Sequence, residues 1–590
     1  MKEYLSEDAI PVKLYDRSII GKLMSYIMRY RFSALLSILM VFLATLMFLL
    51  GPYIFGYAID HGIVKGDKGM VVKMALLLLG VETLRVLLVI AQSYNIQNIG
   101  QKVMMDLRME LFTHIQTLPV SFFDKNPVGR LVTRLTNDIA ALGELFSAGL
   151  IVVIGDVFII VGIIATMFLL NIKLALVALC VLPIIIIVSI FFGKRIKMAF
   201  REIKKKLAII NSYLNENITG MKTIQLFNRE EKNYEEFDSV NKNYLTEQVR
   251  YMRYYALFQP ALNIINALSM ALILWYGALR YTSNDLTLGI LVAFFAYIQG
   301  LFDPIRDIVE KYNIFQGAMA SSERIFGLMK ESPENDYNKG AALQEVEGKI
   351  EFKDVWFTYN NSDYVLKELS FKIDSGQSLA LVGATGSGKT SVANVLTRLY
   401  EIDRGTILLD NKNIQDIGKT QLRQIVGMIS QDISLFSGTI RDNVSLFNSI
   451  SDKRILEIID ELGLTHFINR MSQGLDTEVA ERGSNLSAGE RQFISFARIL
   501  AYNPDILILD EATSNIDPIS DALIQNAIKK ITKGRTSIII SHRLSTILNC
   551  DRILVLDKGK KVEEGTHETL VRAQGLYSKL YKLYLKEETL

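Results

Sequence analysis

Long apolar stretches dominate the first half of the chain, and charged residues cluster in the intervals between them. Six of these stretches approach the roughly 20 apolar residues that an α-helix needs to cross a bilayer. We predict membrane spans at about 32–58, 72–94, 145–170, 172–193, 255–281 and 286–310. Residues 13–30 mix apolar and basic positions, which predicts an amphipathic elbow helix on the inner membrane surface. The pattern therefore predicts an α-helical membrane domain with six transmembrane helices over residues 1–329.

The intervals between the predicted spans are very unequal in length. At about 1.5 Å per residue, a pair of helices in each long interval of roughly 50–60 residues would project roughly 35 Å from the membrane. The fourth interval begins with the basic run 194–206, and positive charge next to a span marks its cytoplasmic side. We therefore expect long cytoplasmic extensions in the second and fourth intervals and a cytoplasmic N-terminus.

Each long interval contains a candidate coupling segment, near 122–131 and near 212–221. In the first of them, Pro127 and Gly129 break the helical pattern. Either a short transverse helix docks on a partner domain there, or the segment is only a turn.

Several polar side chains lie inside the predicted spans, where they are costly unless paired or hydrated. Glu82 and Arg85 are three residues apart and predict an ion pair on one helix face. Asp156 either faces a water-filled cavity and a cationic substrate or pairs with another helix. Two stripes line either a substrate cavity or a helix–helix contact: Gln259, Asn263 and Asn266 in the fifth span, and Phe295, Gln299 and Phe302 in the sixth.

A polar linker, predicted over 330–347, leads to a soluble domain over 348–590. The formal net charge of +3 is small for 590 residues and argues against nucleic acid as a partner. Of the two cysteines, Cys180 lies in a span and Cys550 in the soluble part. A disulfide between them is implausible, so the cysteines do not indicate an oxidising compartment.

The soluble domain contains a phosphate-loop motif, G-x-x-x-x-G-K-[ST], between the apolar run 379–382 and a helical stretch that starts at Ser391. The motif reads Gly383-Ala384-Thr385-Gly386-Ser387-Gly388-Lys389-Thr390. Its glycines let backbone N–H groups point at phosphate oxygens, and the helix N-terminus adds positive potential. Lys389 would reach the β- and γ-phosphates, and the Thr390 hydroxyl would hold Mg²⁺. We therefore predict that these residues, together with Ser391, bind a nucleoside triphosphate.

A second apolar strand, 506–509, ends in two carboxylates, Asp510 and Glu511. Asp510 would complete the Mg²⁺ shell, and Glu511 would polarise the attacking water as general base. His542 follows a third apolar strand, at the carboxyl end where α/β sheets place ligands. These segments predict an α/β P-loop ATPase.

The segment Leu486-Ser487-Ala488-Gly489-Glu490-Arg491-Gln492 is similar to the signature sequence of ATP-binding cassette (ABC) proteins. Together with the phosphate loop and Phe122-Phe123-Asp124, it gives a resemblance that covers nearly the whole chain. The chain resembles a bacterial ABC exporter half-transporter of the multidrug type, in which membrane and nucleotide-binding domains are fused.

This resemblance implies roles for further residues. Tyr359 would stack on adenine, Gln431 would contact Mg²⁺ or the attacking water, and His542 would contact the γ-phosphate. Ser514 and Asp517 would belong to the loop that joins two ATP sites. The residues implied in coupling the domains are Phe123, Asp124, Glu478 and Arg482.

The resemblance also implies a dimer with two ATP molecules at its interface, because Ser487, Gly489 and Glu490 would contact ATP held by the opposite subunit. The signature departs from the commonest form at Ala488 and Glu490. Glu490 adds negative charge near the triphosphate, which should weaken that site. In heterodimeric exporters of the family, one subunit often pairs an intact hydrolytic set with an altered signature. A heterodimer is therefore favoured, and a homodimer is the alternative.

The implied function is ATP-driven export of amphipathic or drug-like small molecules across the bacterial inner membrane by alternating access. A lipid or lipid-linked-glycan flippase is the first alternative, and an ATP-gated regulator or channel is the second. ATP and Mg²⁺ are the implied cofactors, and membrane lipids are further partners. The N-terminus and the nucleotide-binding domain would lie in the cytoplasm.

Overall fold

The computed structural model describes residues 17–282, 286–334, 343, 345–360, 363–471, 473–510, 518–541 and 543–588. The chain divides into two compact units. The first runs to Gln116 and then from Gly129 to Glu331, and the second contains Thr117–Val128 and the residues from Ser332 onward. The short segment 117–128 therefore belongs with the soluble domain, although membrane-domain sequence flanks it on both sides.

The first unit is built from helices. In chain order, and including α4 of the second unit, they are α1 (Arg17–Arg29), α2 (Arg31–Ala58), α3 (Lys68–Gln116), α4 (Val120–Lys125), α5 (Val128–Thr133), α6 (Ile139–Glu144), α7 (Leu150–Leu170), α8 (Ile172–Leu179), α9 (Leu182–Thr219), α10 (Met221–Leu226), α11 (Glu230–Thr282) and α12 (Leu288–Leu328). Three π-helical turns continue them, at Ile59–Ile63, Arg134–Asp138 and Leu145–Gly149.

Among the described residues, six helical segments are long and apolar enough to cross a membrane. They are Arg31–Ile63, Lys68–Gln116, Val128–Leu170, Ile172–Thr219, Glu230–Thr282 and Leu288–Ile308. Their number agrees with the six predicted spans. Helices α3 and α11 have 49 and 53 residues, about 75–80 Å at 1.5 Å per residue, so each continues well past a bilayer.

One predicted span is interrupted in the structure. Within the predicted span 172–193, α8 ends at Leu179 and α9 begins at Leu182. Pro183 lies in the first turn of α9, where its missing N–H leaves no helical hydrogen bond unmade. The apolar composition continues through the break, which is why hydropathy gave no sign of it.

Buried polar contacts fix the helices of the first unit to one another. Tyr26 of α1 and Tyr30, which directly follows α1, donate hydrogen bonds to Glu110 and Asp106 of α3, each at 2.9 Å, and hold the amphipathic helix in place. The Tyr297 hydroxyl, buried in the helical core, donates to the Leu49 carbonyl at 2.6 Å. The predicted Glu82–Arg85 pair is present on α3, with Nε and Oε2 2.7 Å apart.

The second unit is an α/β domain. Its strands are β1 (Ile350–Phe357), β2 (Leu366–Ile373), β3 (Ser378–Val382), β4 (Arg404–Leu409), β5 (Lys412–Asn413), β6 (Val426–Ile429), β7 (Gly438–Thr439), β8 (Glu478–Val479), β9 (Ile506–Asp510), β10 (Thr536–Ile540), β11 (Arg552–Asp557) and β12 (Lys560–Gly565). Within the described residues they form a four-stranded sheet in the order β2-β1-β4-β5, a six-stranded sheet in the order β12-β11-β3-β10-β9-β6, and the pair β7-β8.

Helices cover these sheets. They are α13 (Lys389–Leu396), α14 (Lys419–Ile425), α15 (Ile440–Ser445), α16 (Asp452–Leu462), α17 (Thr465–Arg470), α18 (Ala488–Tyr502), α19 (Pro518–Thr532), α20 (Leu544–Ile547), α21 (His567–Arg572) and α22 (Leu576–Glu588). Strands β9 and β10 are buried along their whole length, as expected for parallel strands covered on both faces. The predicted fold class, a helical membrane domain followed by an α/β domain, is confirmed.

Candidate nucleotide site and coupling surface

The phosphate loop connects β3 to α13, and its shape depends on glycine. Gly386 and Gly388 have φ of +81° and +102°, in the left-handed region that other residues adopt at a cost. A Cβ on Gly388 would also lie 2.9 Å from the Leu366 side chain, and one on Gly383 would collide with the Leu556 carbonyl oxygen. The backbone can therefore approach a ligand here only if these positions remain glycine.

Two side chains of this loop have the chemistry that a triphosphate needs. Lys389 is buried, and its ammonium donates to the carbonyls of Gly383 at 2.8 Å and Ala384 at 3.1 Å, so it lies across the loop. The Ser387 hydroxyl is buried and has no hydrogen-bond partner among the described residues. Because a buried polar atom without a partner is costly, the loop fits an anionic ligand that would satisfy Ser387 and attract Lys389.

Tyr359 is held beside this loop by contacts that the sequence did not indicate. Its hydroxyl lies 3.1 Å from Ser391 Oγ and accepts a hydrogen bond from Asn394 Nδ2 at 3.1 Å. The Tyr400 ring packs edge-on against it, with ring centroids 4.9 Å apart. The structure thus brings the predicted adenine-stacking ring to the first turns of α13.

The other described hydrolytic residues lie at the same edge of the sheet. Asp510 is the last residue of β9 and is buried, and its register neighbour Ile540 also pairs with Leu381, just before the phosphate loop. Gln431 is exposed shortly after β6, in which Ile429 pairs with Leu509. Thr390, Asp510 and Gln431 supply hydroxyl, carboxylate and amide oxygens, which are suitable ligands for Mg²⁺. Four predicted site residues lie outside the described residues: Glu511, Ser514, Asp517 and His542.

The signature residues form the N-terminus of α18. Ser487 is the N-cap, and Glu490 closes a capping box: Ser487 N donates to Glu490 Oε2 at 2.8 Å, and Glu490 N donates to Ser487 Oγ at 3.2 Å. Ser487 is exposed, whereas Gly489 is buried. The Glu490 carboxylate therefore has a local structural role that the sequence analysis did not foresee.

The candidate coupling residues fall into two places in the second unit. Phe123 and Asp124 lie in α4, and the Tyr400 hydroxyl donates a hydrogen bond to the Asp124 carboxylate. Tyr400 also packs on Tyr359, so Tyr400 connects Asp124 to the ring that we predict to stack on adenine. Glu478 and Arg482 are exposed beside β8, where Arg482 has a φ of +56°.

In the first unit, Asp156 of α7 is buried and lies 3.8 Å from the Lys311 ammonium of α12. Of the two alternatives raised by the sequence, the structure contains the interhelical ion pair. The signal that could have predicted it is Lys311 itself, a lone basic residue just beyond the sixth predicted span.

One residue of the sixth-span stripe contacts α11. Gln299 Nε2 lies 3.9 Å from the sulfur of Met270, which continues the helical face of the fifth-span stripe. In that stripe Gln259 and Asn263 are exposed, and the Asn266 carbonyl oxygen is buried with no hydrogen-bond partner among the described residues. Phe295 and Phe302 are half-buried and pack against the helical core.

Comparisons with known proteins identify the family. Residues 34–305 match the family model described as ABC transporter transmembrane region, and residues 366–514 match the family model described as ABC transporter. The chain belongs to the ABC transporter family. Both parts are fused in one polypeptide, which is the half-transporter architecture, so the predicted family and ATPase class are confirmed.

Relatives of this ABC transporter match along most of their length. An uncharacterised ABC transporter ATP-binding protein of Bacillus subtilis (strain 168), YknV, is 38% identical over 584 residues, 98% of this chain and 96% of that protein. YheH of the same organism, provisionally named a multidrug resistance ABC transporter ATP-binding/permease protein, is 38% identical over 496 residues, 83% of this chain and 74% of its own. A Staphylococcus aureus (strain NCTC 8325 / PS 47) protein, provisionally named a multidrug export ATP-binding/permease protein, is 33% identical over 545 residues, 90% and 94% of the two chains. The chain is thus a multi-pass membrane protein and an ATPase coupled to transport.

Proposed function

We propose that this chain is one subunit of a bacterial exporter that moves amphipathic, drug-like molecules outward by alternating access. The observation that carries the ATP-dependent part is the phosphate loop, in which a buried Lys389 crosses the loop and the Ser387 hydroxyl lacks a partner among the described residues. The provisional names of two relatives support the cargo class. We place the protein in the cytoplasmic membrane, with the nucleotide-binding domain inside the cell.

In this proposal each chain contributes half of two ATP sites. The phosphate loop and Tyr359 bind one ATP, while Ser487 and Gly489 of the opposite subunit contact its γ-phosphate. Mg²⁺, held by Thr390, Asp510 and Gln431, would neutralise phosphate charge. Glu511 takes a proton from the attacking water, and His542 stabilises the γ-phosphate.

ATP drives the cycle because it favours the closed dimer. Only that state offers an ATP molecule both half-sites, so binding shifts the population toward closure, and hydrolysis allows reopening. The capping box at Glu490 supports a weakened trans site, because its carboxylate occupies the Ser487 N–H at the end where a phosphate would bind. The two sites would be unequal if the partner subunit carries a different signature. We therefore propose, from the altered signature beside an intact hydrolytic set, a heterodimer in which this subunit supplies Glu511, with a homodimer as the alternative.

A second candidate function is a lipid or lipid-linked-glycan flippase. The half-buried aromatic and exposed amide side chains where α11 meets α12 would suit an amphipathic lipid as well as a drug. Stimulation of the ATPase in detergent separates the two: drugs should stimulate an exporter, and lipids alone should stimulate a flippase.

The assembly is tested by native mass spectrometry of this chain, purified alone and with the product of the neighbouring open reading frame, with ATPase activity measured on the same samples. Activity only with a second, different chain would support unequal sites. A stable, active dimer of identical chains would refute the heterodimer.

The hydrolytic assignment is tested by Glu511→Gln. We expect this variant to bind ATP and accumulate the closed dimer, while turnover is lost. Unchanged turnover would rule out Glu511 as the general base.

A further inference from the structure

The linker residue Glu334 is the centre of a buried charge cluster that no motif predicts. Its side chain is 10% exposed. Lys419 Nζ donates to Glu334 Oε1 at 3.1 Å, and Arg423 donates to both carboxylate oxygens, at 2.7 and 3.2 Å. Although burial alone would raise the pKa of this carboxyl, the hydrogen bonds from Arg423 and Lys419 hold the pKa below its usual value. The group is therefore an ion at neutral pH, matched by two cations.

The backbone of Glu334 is hydrogen-bonded to the segment that leads into α4, the helix of the candidate coupling residues Phe123 and Asp124. Glu334 N donates to the Thr117 carbonyl at 2.6 Å. Thr117 directly follows α3 and precedes α4, while Glu334 follows α12 by a few residues. Within the first unit, His114 Nε2 already lies 3.1 Å from the Leu328 carbonyl. The ends of α3 and α12 and the segments that follow them are thus linked by two hydrogen bonds, one between His114 and Leu328 and one between Glu334 and Thr117.

The same cluster reaches the far end of the phosphate-loop helix. Arg423 Nε and Nη2 donate to the carbonyls of Thr397 and Arg398, at 3.4 and 3.1 Å, just after α13 ends. Lys419 also donates to Glu401, at 2.9 Å, and Glu401 binds Arg398. The N-terminal residue of α13 is Lys389. One buried, eight-residue helix therefore has the phosphate loop at one end and the Glu334 cluster at the other.

We propose that Glu334 is a positioning residue for coupling, which transmits the ATP-dependent movement of α13 to the ends of α3 and α12. The inference rests on the proposed function, since it presupposes an ATP-dependent change in the membrane helices. Arg423 is the connecting group: it holds the carbonyls after α13 on one side and the Glu334 carboxylate on the other. Without the carboxylate, ATP binding at the phosphate loop persists but shifts the membrane helices in fewer molecules.

The test uses the full-length, assembled protein with the isosteric variant Glu334→Gln. A spin label at Lys65→Cys, in the exposed loop between α2 and α3, reports on the membrane domain in a Cys180→Ser, Cys550→Ser background. If the second subunit is a different chain, its corresponding loop carries the second label. Distances between labels are measured by pulsed electron paramagnetic resonance with and without ATP and orthovanadate, and nucleotide trapping is measured on the same samples.

We expect Glu334→Gln to trap nucleotide as wild type does and to reduce the ratio of ATP-shifted to unshifted molecules about tenfold, the scale of one charge-assisted hydrogen bond. Glu331→Gln, an exposed carboxylate in the same linker, should behave as wild type.

Three results would overturn the inference: a wild-type shift in Glu334→Gln, a loss of nucleotide trapping together with the shift, or an equal defect in Glu331→Gln. The proposed function is judged separately, on the wild-type protein. If wild type itself shows no ATP-dependent distance change, alternating access is refuted before any variant is compared.

Discussion

Replacing Glu490 by glutamine removes a carboxylate charge at the N-terminus of α18 and keeps its capping geometry. The side chain accepts the Ser487 N–H at 2.8 Å, and a glutamine oxygen can occupy the same place, since capping boxes use either residue. The variant loses only the attraction between a carboxylate and the helix dipole, about 0.3–1 kcal/mol. We therefore expect its free energy of unfolding to fall by no more than that amount.

The effect on ATP binding should be larger than the effect on stability. It should also be favourable, because the substitution removes a negative charge near the triphosphate. Two unit charges about 5 Å apart repel by about 0.8 kcal/mol in water and about 3 kcal/mol at an effective dielectric constant of 20. Because Glu490 is half-buried, we take the repulsion between its carboxylate and the triphosphate to be about 1.4 kcal/mol. This corresponds to a change in affinity of about tenfold. Glu490→Gln should lower the ATP concentration for half-maximal ATPase activity by about this factor at sites that use this chain's signature.

An ATPase titration of the assembled transporter measures this shift, with Glu461→Gln, an exposed carboxylate on α16, as the matched control. In a homodimer the whole titration moves, whereas in a heterodimer only one of two phases moves. An unchanged titration, with stability lost in Glu490→Ala, would show that the carboxylate only caps its helix. The repulsion argument, and the support it gives to unequal sites, would then be refuted.

Three further predictions concern other parts of the chain. The double variant Cys180→Ser, Cys550→Ser should retain wild-type ATPase activity, and a loss would reveal a cysteine role. Burial, assisted by the Asp551 carboxylate, raises the pKa of the Cys550 thiol to about 12, so iodoacetamide at pH 8 should modify it only after denaturation, as read by mass spectrometry. Asp138→Asn should destabilise the first unit by about 1.5–3 kcal/mol, because Asp138 is buried and accepts hydrogen bonds from Arg324; an unchanged thermal midpoint in detergent would contradict this.

The sequence predicted the architecture well because two strong physical signals mark it. A helix in lipid must be apolar over roughly 20 residues, so the six spans are visible without any knowledge of packing. Parallel strands buried on both faces are likewise near-continuous in apolar residues, as in β9 and β10. The break after Leu179 was missed because the sequence is equally apolar on both sides of it.

The phosphate-loop motif was visible in the sequence, whereas the contacts of Glu334 were not. A triphosphate demands glycines, a lysine and a hydroxyl at fixed spacing, so Gly388, Lys389 and Thr390 form a readable motif. The contacts of Glu334 with Lys419 and Arg423 require only that opposite charges meet in the folded chain. Because Lys419 and Arg423 lie 85 and 89 positions from Glu334 in the sequence, no local pattern indicates these contacts.

The same difference between local and distant signals applies to Asp156 and Glu490. Asp156 has no partner near it in sequence because Lys311 comes from another helix. Glu490 was interpreted only through its distance from ATP, although its closest partner is Ser487, three residues away. A local rule, the capping box, was sufficient to find that contact, whereas only the folded chain could supply Lys311. An unexplained charge should therefore be tested first against the helix end beside it and then against distant partners, before a ligand is assigned to it.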